Sequence, residues 1–143
     1  ALAAPLLLAA LGEIIGERAG VLNIGLEGMM LCGALAGAAC SFAMQNSVAG
    51  LLGAMLAGMT MAALFAFLSI TLRADVVVVG TGVNLCALGL TGLAHRSLSA
   101  RWGTYNAVEL PQWVFLACGA ILVPALWWLL SSTRIGLQLR AVG

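Results

Sequence analysis

The 143-residue sequence has no lysine, a single histidine, and five acidic residues against six arginines. Charged residues make up only 8%, against roughly 25% in soluble domains. Apolar residues make up 63%, and the mean hydropathy is +1.12. A chain of this length cannot bury so much apolar surface and still present a polar shell to water, so lipid is its expected solvent. No basic tract or interleaving of basic and aromatic residues occurs, which leaves nucleic-acid binding without support. The four cysteines, Cys32, Cys40, Cys86 and Cys118, stand singly in apolar runs with no C-x-x-C or Cys/His cluster. They read as small buried hydrophobes, not as metal or redox ligands.

A nucleotide fingerprint is missing too. "VVVVGTGVN" looks like a strand feeding a glycine-rich turn, but the third glycine of a dinucleotide motif would fall where Leu85 stands. The acidic residue expected about 20 positions later is replaced by Arg101, Trp102 and Gly103. A glycine-interrupted, β-branched membrane helix accounts for the run.

What is present is a series of long apolar runs. A membrane helix needs about 20 mostly apolar residues. Residues 28–45, 49–72, 76–94 and 113–130 qualify, with "QNSV" as a short polar turn between the first two. Residues 1–11 resemble the tail of a further span, without the charged leader of a signal peptide. The chain therefore reads as an all-α polytopic bundle of about five membrane elements, truncated at both ends. Arg18, Arg73, Arg134 and Arg140 fall at alternate connections that would share the cytoplasmic side. Arg96 and Arg101 lie opposite, in the loop "HRSLSARWGTYNAVELPQ". Trp113, Trp127 and Trp128 sit near span ends, as interfacial anchors do. Small residues recur at packing spacing, as in Gly16/Gly20, Gly33/Gly37 and the run from Ala49 to Gly58.

Polar groups concentrate in "GERAGVLNIGLEG", residues 16–28. On one continuous helix, Glu13, Glu17 and Glu27 would share a stripe about 80° wide, which cannot face lipid. Gly12, Gly16, Gly20, Gly25 and Gly28 punctuate the stretch, each costing a helix about 1 kcal/mol against alanine. A broken or re-entrant helix is expected, and irregular backbone survives at membrane depth only where protein or a water-filled cavity satisfies it. For Glu13, Glu17 and Arg18, a solvated loop and a buried role stand as alternatives. Asn23 and Glu27, flanked by apolar residues, read as a buried polar pair at i and i+4 that faces a pathway or locks helices together. Asn84, inside "GTGVNLCALG", reads either as an interhelical hydrogen-bonding group or as a ligand contact.

Three blocks carry a family resemblance. "PLLLAALGEIIGERAGVLNIGLEGMMLCGALAG" resembles the signature region of bacterial ABC-importer permeases of the ribose, simple-sugar and nucleoside type, closest to the second permease of nucleoside systems. "FLSITLRADVVVVGTGVNLCALGLTG" is similar to a second block of those proteins, and "TRIGLQLRAVG" resembles the start of their cytoplasmic coupling segment. The order matches, and the blocks cover most of the chain. One departure concerns substrate class: relatives tend to carry a polar residue just after the "LRA" block, where this chain has Asp75 and then four valines.

The resemblance implies that residues 1–143 form one membrane-embedded permease domain, with 131–143 beginning the coupling segment. It implies a multi-pass subunit of the bacterial plasma membrane that pairs with a second permease, ATP-binding subunits and an extracytoplasmic substrate-binding protein. No cofactor is expected on this chain. ATP and Mg²⁺ would sit on the partner ATPase, since the sequence has no G-x-x-x-x-G-K-[ST] loop. Nucleosides or simple sugars would cross by alternating access. Asn23, Glu27, Gly25, Gly28, Thr81 and Asn84 are the expected pathway and helix-break residues. Arg134, Gly136, Leu137 and Arg140 are the expected ATPase-coupling residues. After "WWLL", Ser131, Ser132 and Thr133 suit the cap of a new surface helix, whose alternative is a plain positive anchor.

Two other classes compete. A gradient-driven secondary transporter or channel would use Glu13, Glu17 and Glu27 as a relay. A membrane-embedded enzyme would want a nucleophile–base pair at depth, whereas the lone histidine, His95, sits beside Arg96 in the polar loop.

Overall fold

The computed structural model describes residues 3–18, 20, 22–103 and 111–133. Among them every regular element is helical: α1 (Ala3–Arg18), α2 (Leu26–Met44), α3 (Ser47–Ala66), α4 (Val76–Trp102) and α5 (Gln112–Ser132). A π-helical turn, Phe67–Thr71, continues α3. The all-α bundle expected from the apolar runs is what the chain forms. Three of its helical stretches, Leu26–Met44, Ser47–Thr71 and Val76–Trp102, are long and apolar enough to cross a membrane. Leu116–Ser132 is a shorter apolar stretch within α5.

The chain divides into two compact units, one of residues 1–23 with 110–143 and the other of residues 24–109. In the first, α1 packs on α5, where a Cβ on the buried Gly119 would stand 3.4 Å from Leu7 Cδ2. In the second, α2 is the shared element, with α3 on one flank and α4 on the other.

The α2–α3 pair forms because "QN" makes a tight turn. Gln45 takes a left-handed conformation, φ 49°, and its Nε2 donates to the Phe42 carbonyl at 2.7 Å. Asn46 then caps α3, its Oδ1 accepting from the Val48 amide at 2.9 Å. The two helices close on small residues: Gly33, Gly37 and Ser41 of α2 face Gly50 and Ala54 of α3. In lipid there is little hydrophobic drive between helices, so association depends on such close backbone approach. Beyond α3, the buried Ser69 of the π-helical turn donates its hydroxyl to the Phe65 carbonyl at 2.7 Å.

Asp75 starts α4. Its Oδ1 accepts from the amides of Val77 at 2.8 Å and Val78 at 3.4 Å, satisfying first-turn donors that have no partner within the helix. The helix does not stop at Ala94, where hydropathy falls, but runs on to Trp102 and ends at Gly103, φ 69°. His95, Arg96 and Arg101 are therefore helical, not part of a loop. The 27 residues of α4 span about 40 Å, against a hydrocarbon core of about 30 Å, so the polar turns can project past it. The Trp102 ring packs 5.2 Å from that of Phe42 near the end of α2.

A second boundary also differs. Ser131 and Ser132 complete α5 instead of opening a new helix, and the Ser131 hydroxyl donates back to the Trp127 carbonyl at 2.6 Å.

Among the described residues the buried apolar side chains are few: Met29, Phe65, Val79, Val83 and Ala87 in the second unit and Leu130 in the first. Large apolar side chains face outward instead, among them Leu52, Met55, Leu56 and Met59 on α3 and Trp113, Ile121, Trp127 and Trp128 on α5. That distribution suits a chain solvated by lipid, where outward-facing leucine and methionine carry no penalty.

Candidate functional site

The polar stretch is where the helix breaks. The first helix ends at Arg18, Gly20 turns the chain with φ 77°, and α2 begins at Leu26. A gap this rich in glycine cannot propagate a helix through an apolar medium, and its exposed amides and carbonyls need partners. Side chains supply them.

In the first unit, Glu13 reaches from α1 to the break. Its Oε1 accepts a hydrogen bond from the Asn23 backbone amide at 2.7 Å. In the second unit, Asn84 reaches from α4. Its Oδ1 accepts from the Gly28 amide at 2.7 Å, while its Nδ2 donates to the Ile24 carbonyl at 3.0 Å. Gly28 sits in the first turn of α2, whose amides lack intrahelical acceptors. The first bond within the element is Met29 N–H to the Gly25 carbonyl, at 3.2 Å. Asn84 thus caps α2 from a neighbouring helix.

Close approach makes this capping possible. A Cβ on Gly28 would stand 2.8 Å from Asn84 Oδ1 and 3.0 Å from Ala87 Cβ. One on Gly80 would stand 2.9 Å from Ile24 Cβ and 3.1 Å from the Gly25 nitrogen. Gly80, Asn84 and Ala87 share one face of α4, and Ala87 is 0% exposed.

The sequence-derived candidates are distributed as follows. Gly25 and Gly28 are buried at the start of α2, and Asn84 is half-buried against them. Asn23 is half-buried, and Glu27 is exposed in the first turn of α2, where a negative charge complements the helix dipole. Because Asn23 precedes α2, the two are not an i, i+4 pair on one helix. The single carboxylate stripe is not formed either: Glu13 and Glu17 share α1, and Glu27 belongs to the next helix. Thr81 is exposed on α4, with its hydroxyl bonded back to the Val77 and Val78 carbonyls, both at 3.0 Å. Glu17 and Arg18 are exposed. Arg134, Gly136, Leu137 and Arg140 lie outside the described residues.

Sequence reasoning did not pair Asn84 with Gly28, or Glu13 with Asn23. The available signal was an asparagine midway along an apolar helix together with glycines at a helix start. Nothing in the spacing says that two such features meet across a separation of 56 residues.

A family model described as "Branched-chain amino acid transport system / permease component" matches residues 1–143. The "Putative glucose ABC transporter permease protein TsgC13" of Haloferax volcanii is 35% identical, over 96% of this chain and 48% of its own length. The "Guanosine ABC transporter permease protein NupQ" of Bacillus subtilis is 33% identical, over 99% and 53%. The "Nucleoside ABC transporter permease protein NupC" of Lactococcus lactis is 31% identical, over 97% and 52%. The chain spans about half the length of the curated relatives it matches. No solved structure matches it.

Proposed function

This chain belongs to the permease-component family of branched-chain amino acid transport systems, and we propose that it is part of the membrane subunit through which an ATP-driven importer moves nucleosides or simple sugars. The observation that carries the reading is the match of the whole chain to that family, joined by relatives named as guanosine, nucleoside and glucose permeases.

The site is consistent with such cargo. The side chain that meets the start of α2 from α4 is a neutral amide, and α4 carries no acidic residue, which suits uncharged, hydroxyl-rich molecules. Asn23, Thr81 and Glu27 are the side chains assigned to the pathway, with Gly25, Gly28 and Asn84 shaping the helix break. The charge of Glu27 orients the start of α2 and does not bind cargo. Discontinuous helices are where transporters place their substrate sites, because the broken backbone offers hydrogen-bonding groups at depth.

In this reading the subunit itself holds no cofactor. ATP and Mg²⁺ belong to a partner ATPase, which couples through the segment containing Arg134, Gly136, Leu137 and Arg140. A second permease completes the pathway, and an extracytoplasmic protein delivers substrate. The assembly sits in the plasma membrane and works by alternating access.

The test is uptake of labelled uridine and labelled ribose into proteoliposomes holding the complete transporter, with ATP on the ATPase side. Saturable uptake of one label, blocked by its unlabelled form, is expected and assigns the substrate class. Uptake of neither label above protein-free vesicles would sink the substrate assignment.

A further inference from the structure

We propose that Asn84 is a positioning residue that fastens the open first turn of α2 to α4, and that during transport it holds backbone and not substrate. The proposal deepens the importer reading and depends on it only for the transport readout.

The amide is used in both senses. Its oxygen takes the Gly28 N–H at 2.7 Å and its nitrogen gives to the Ile24 carbonyl at 3.0 Å. The partners differ in kind, so the orientation is fixed: turning the amide over would set N–H against N–H and oxygen against oxygen. An apolar residue of similar size offers neither function, and an ionised aspartate offers no donor. The packing leaves little slack. Gly80 lies one turn before Asn84 on α4, and a Cβ there would meet Ile24 at 2.9 Å. Gly28 faces Asn84 from α2 with no room for a methyl, and Ala87 seals the next turn. Two glycines, one on each helix, bring the backbones close enough for one side chain to span them.

The consequence is mechanistic. To turn away from the break toward substrate, Asn84 would have to release both the Gly28 amide and the Ile24 carbonyl, leaving a helix-start donor and an acceptor without their side-chain partner. The lower-energy course keeps both bonds, so the start of α2 and the facing turns of α4 move together.

A double-mutant cycle in the complete transporter tests this, using Asn84→Ala, Gly28→Ala and the double variant. Thermal midpoints and initial-rate kinetics for labelled uridine and ribose are read for each. Both single variants are expected to lower the midpoint. The double variant should lower it by clearly less than their sum, because Gly28→Ala collides with the oxygen that Asn84→Ala removes. Asn84→Ala should lower the maximal rate for the label that the wild type transports and leave its KM unchanged. Additive midpoints, or a wild-type midpoint in Asn84→Ala with KM raised for one label, would overturn the proposal. If Gly28→Ala fails to assemble, Asn84→Leu replaces it. Losses equal to those of Asn84→Ala support the proposal, and recovery of wild-type midpoint and rate contradicts it. If the wild type transports neither label, the substrate assignment fails, while the midpoints still judge Asn84.

Discussion

The carboxylate of Glu13 and the backbone amide of Asn23 meet at 2.7 Å, ten residues apart in sequence, so an acidic side chain in an apolar helix satisfies the backbone just before the next helix. A hydrogen bond to a charged acceptor contributes about 1.5–3 kcal/mol when half-buried. Glu13→Ala is expected to lower the thermal midpoint of the complete transporter and to speed amide exchange at Asn23. Glu13→Gln keeps an acceptor oxygen and should lose roughly half as much. Equal losses from both variants would show that the oxygen at this position is not what matters.

Small residues between α2 and α3 give a position-specific expectation. A Cβ at Gly50 would stand 2.7 Å from Ser41 Cβ, and one at Gly53 would stand 2.6 Å from Cys40 Sγ. Nothing lies within 4 Å of a Cβ at Gly58. Gly50→Ala and Gly53→Ala should destabilise by about 1–3 kcal/mol through overpacking. Gly58→Ala should be neutral or stabilising by up to about 1 kcal/mol, from helix propensity. Thermal unfolding of the three variants in one detergent makes the comparison.

These helices illustrate how far the sequence could be read. Hydropathy located α2, α3, α4 and α5 because apolar runs of span length have few other folded outcomes. The glycines of residues 16–28 foretold the break for a local reason, their weak helix propensity. The end of α4 was not legible: hydropathy marks where lipid stops, while helix termination depends on a breaker, and none occurs between Ala94 and Gly103. The clamps were hidden for a different reason. Asn84 and Glu13 carry no local mark of the backbone groups they reach, since those contacts exist only once helices pack.

Asp75, which precedes the four valines, has a defined task in starting α4. Asp75→Ala should cost about 1 kcal/mol and increase amide exchange at Val77 and Val78. Asp75→Ser should recover most of that loss, because its hydroxyl can accept the same bonds. Site-resolved hydrogen exchange distinguishes this local fraying from global destabilisation.

Glu27 stands exposed in the first turn of α2, where its sign complements the helix dipole. Glu27→Gln is expected to reduce uptake moderately with assembly intact, and Glu27→Lys to reduce it further by reversing the sign. Unchanged uptake in a normally assembled Glu27→Gln transporter would remove its charge from the mechanism.

The proposed importer is driven by a nucleotide-hydrolysing partner and not by a gradient acting on Glu13, Glu17 and Glu27. The most direct measurement is initial uptake into proteoliposomes holding the complete transporter, with ATP and no ion gradient, compared with permeases alone under an imposed proton or sodium gradient. Uptake is expected only in the first case and is lost when the ATPase is omitted. Uptake by the permeases alone under the gradient would contradict that expectation and would give those carboxylates the role of a relay.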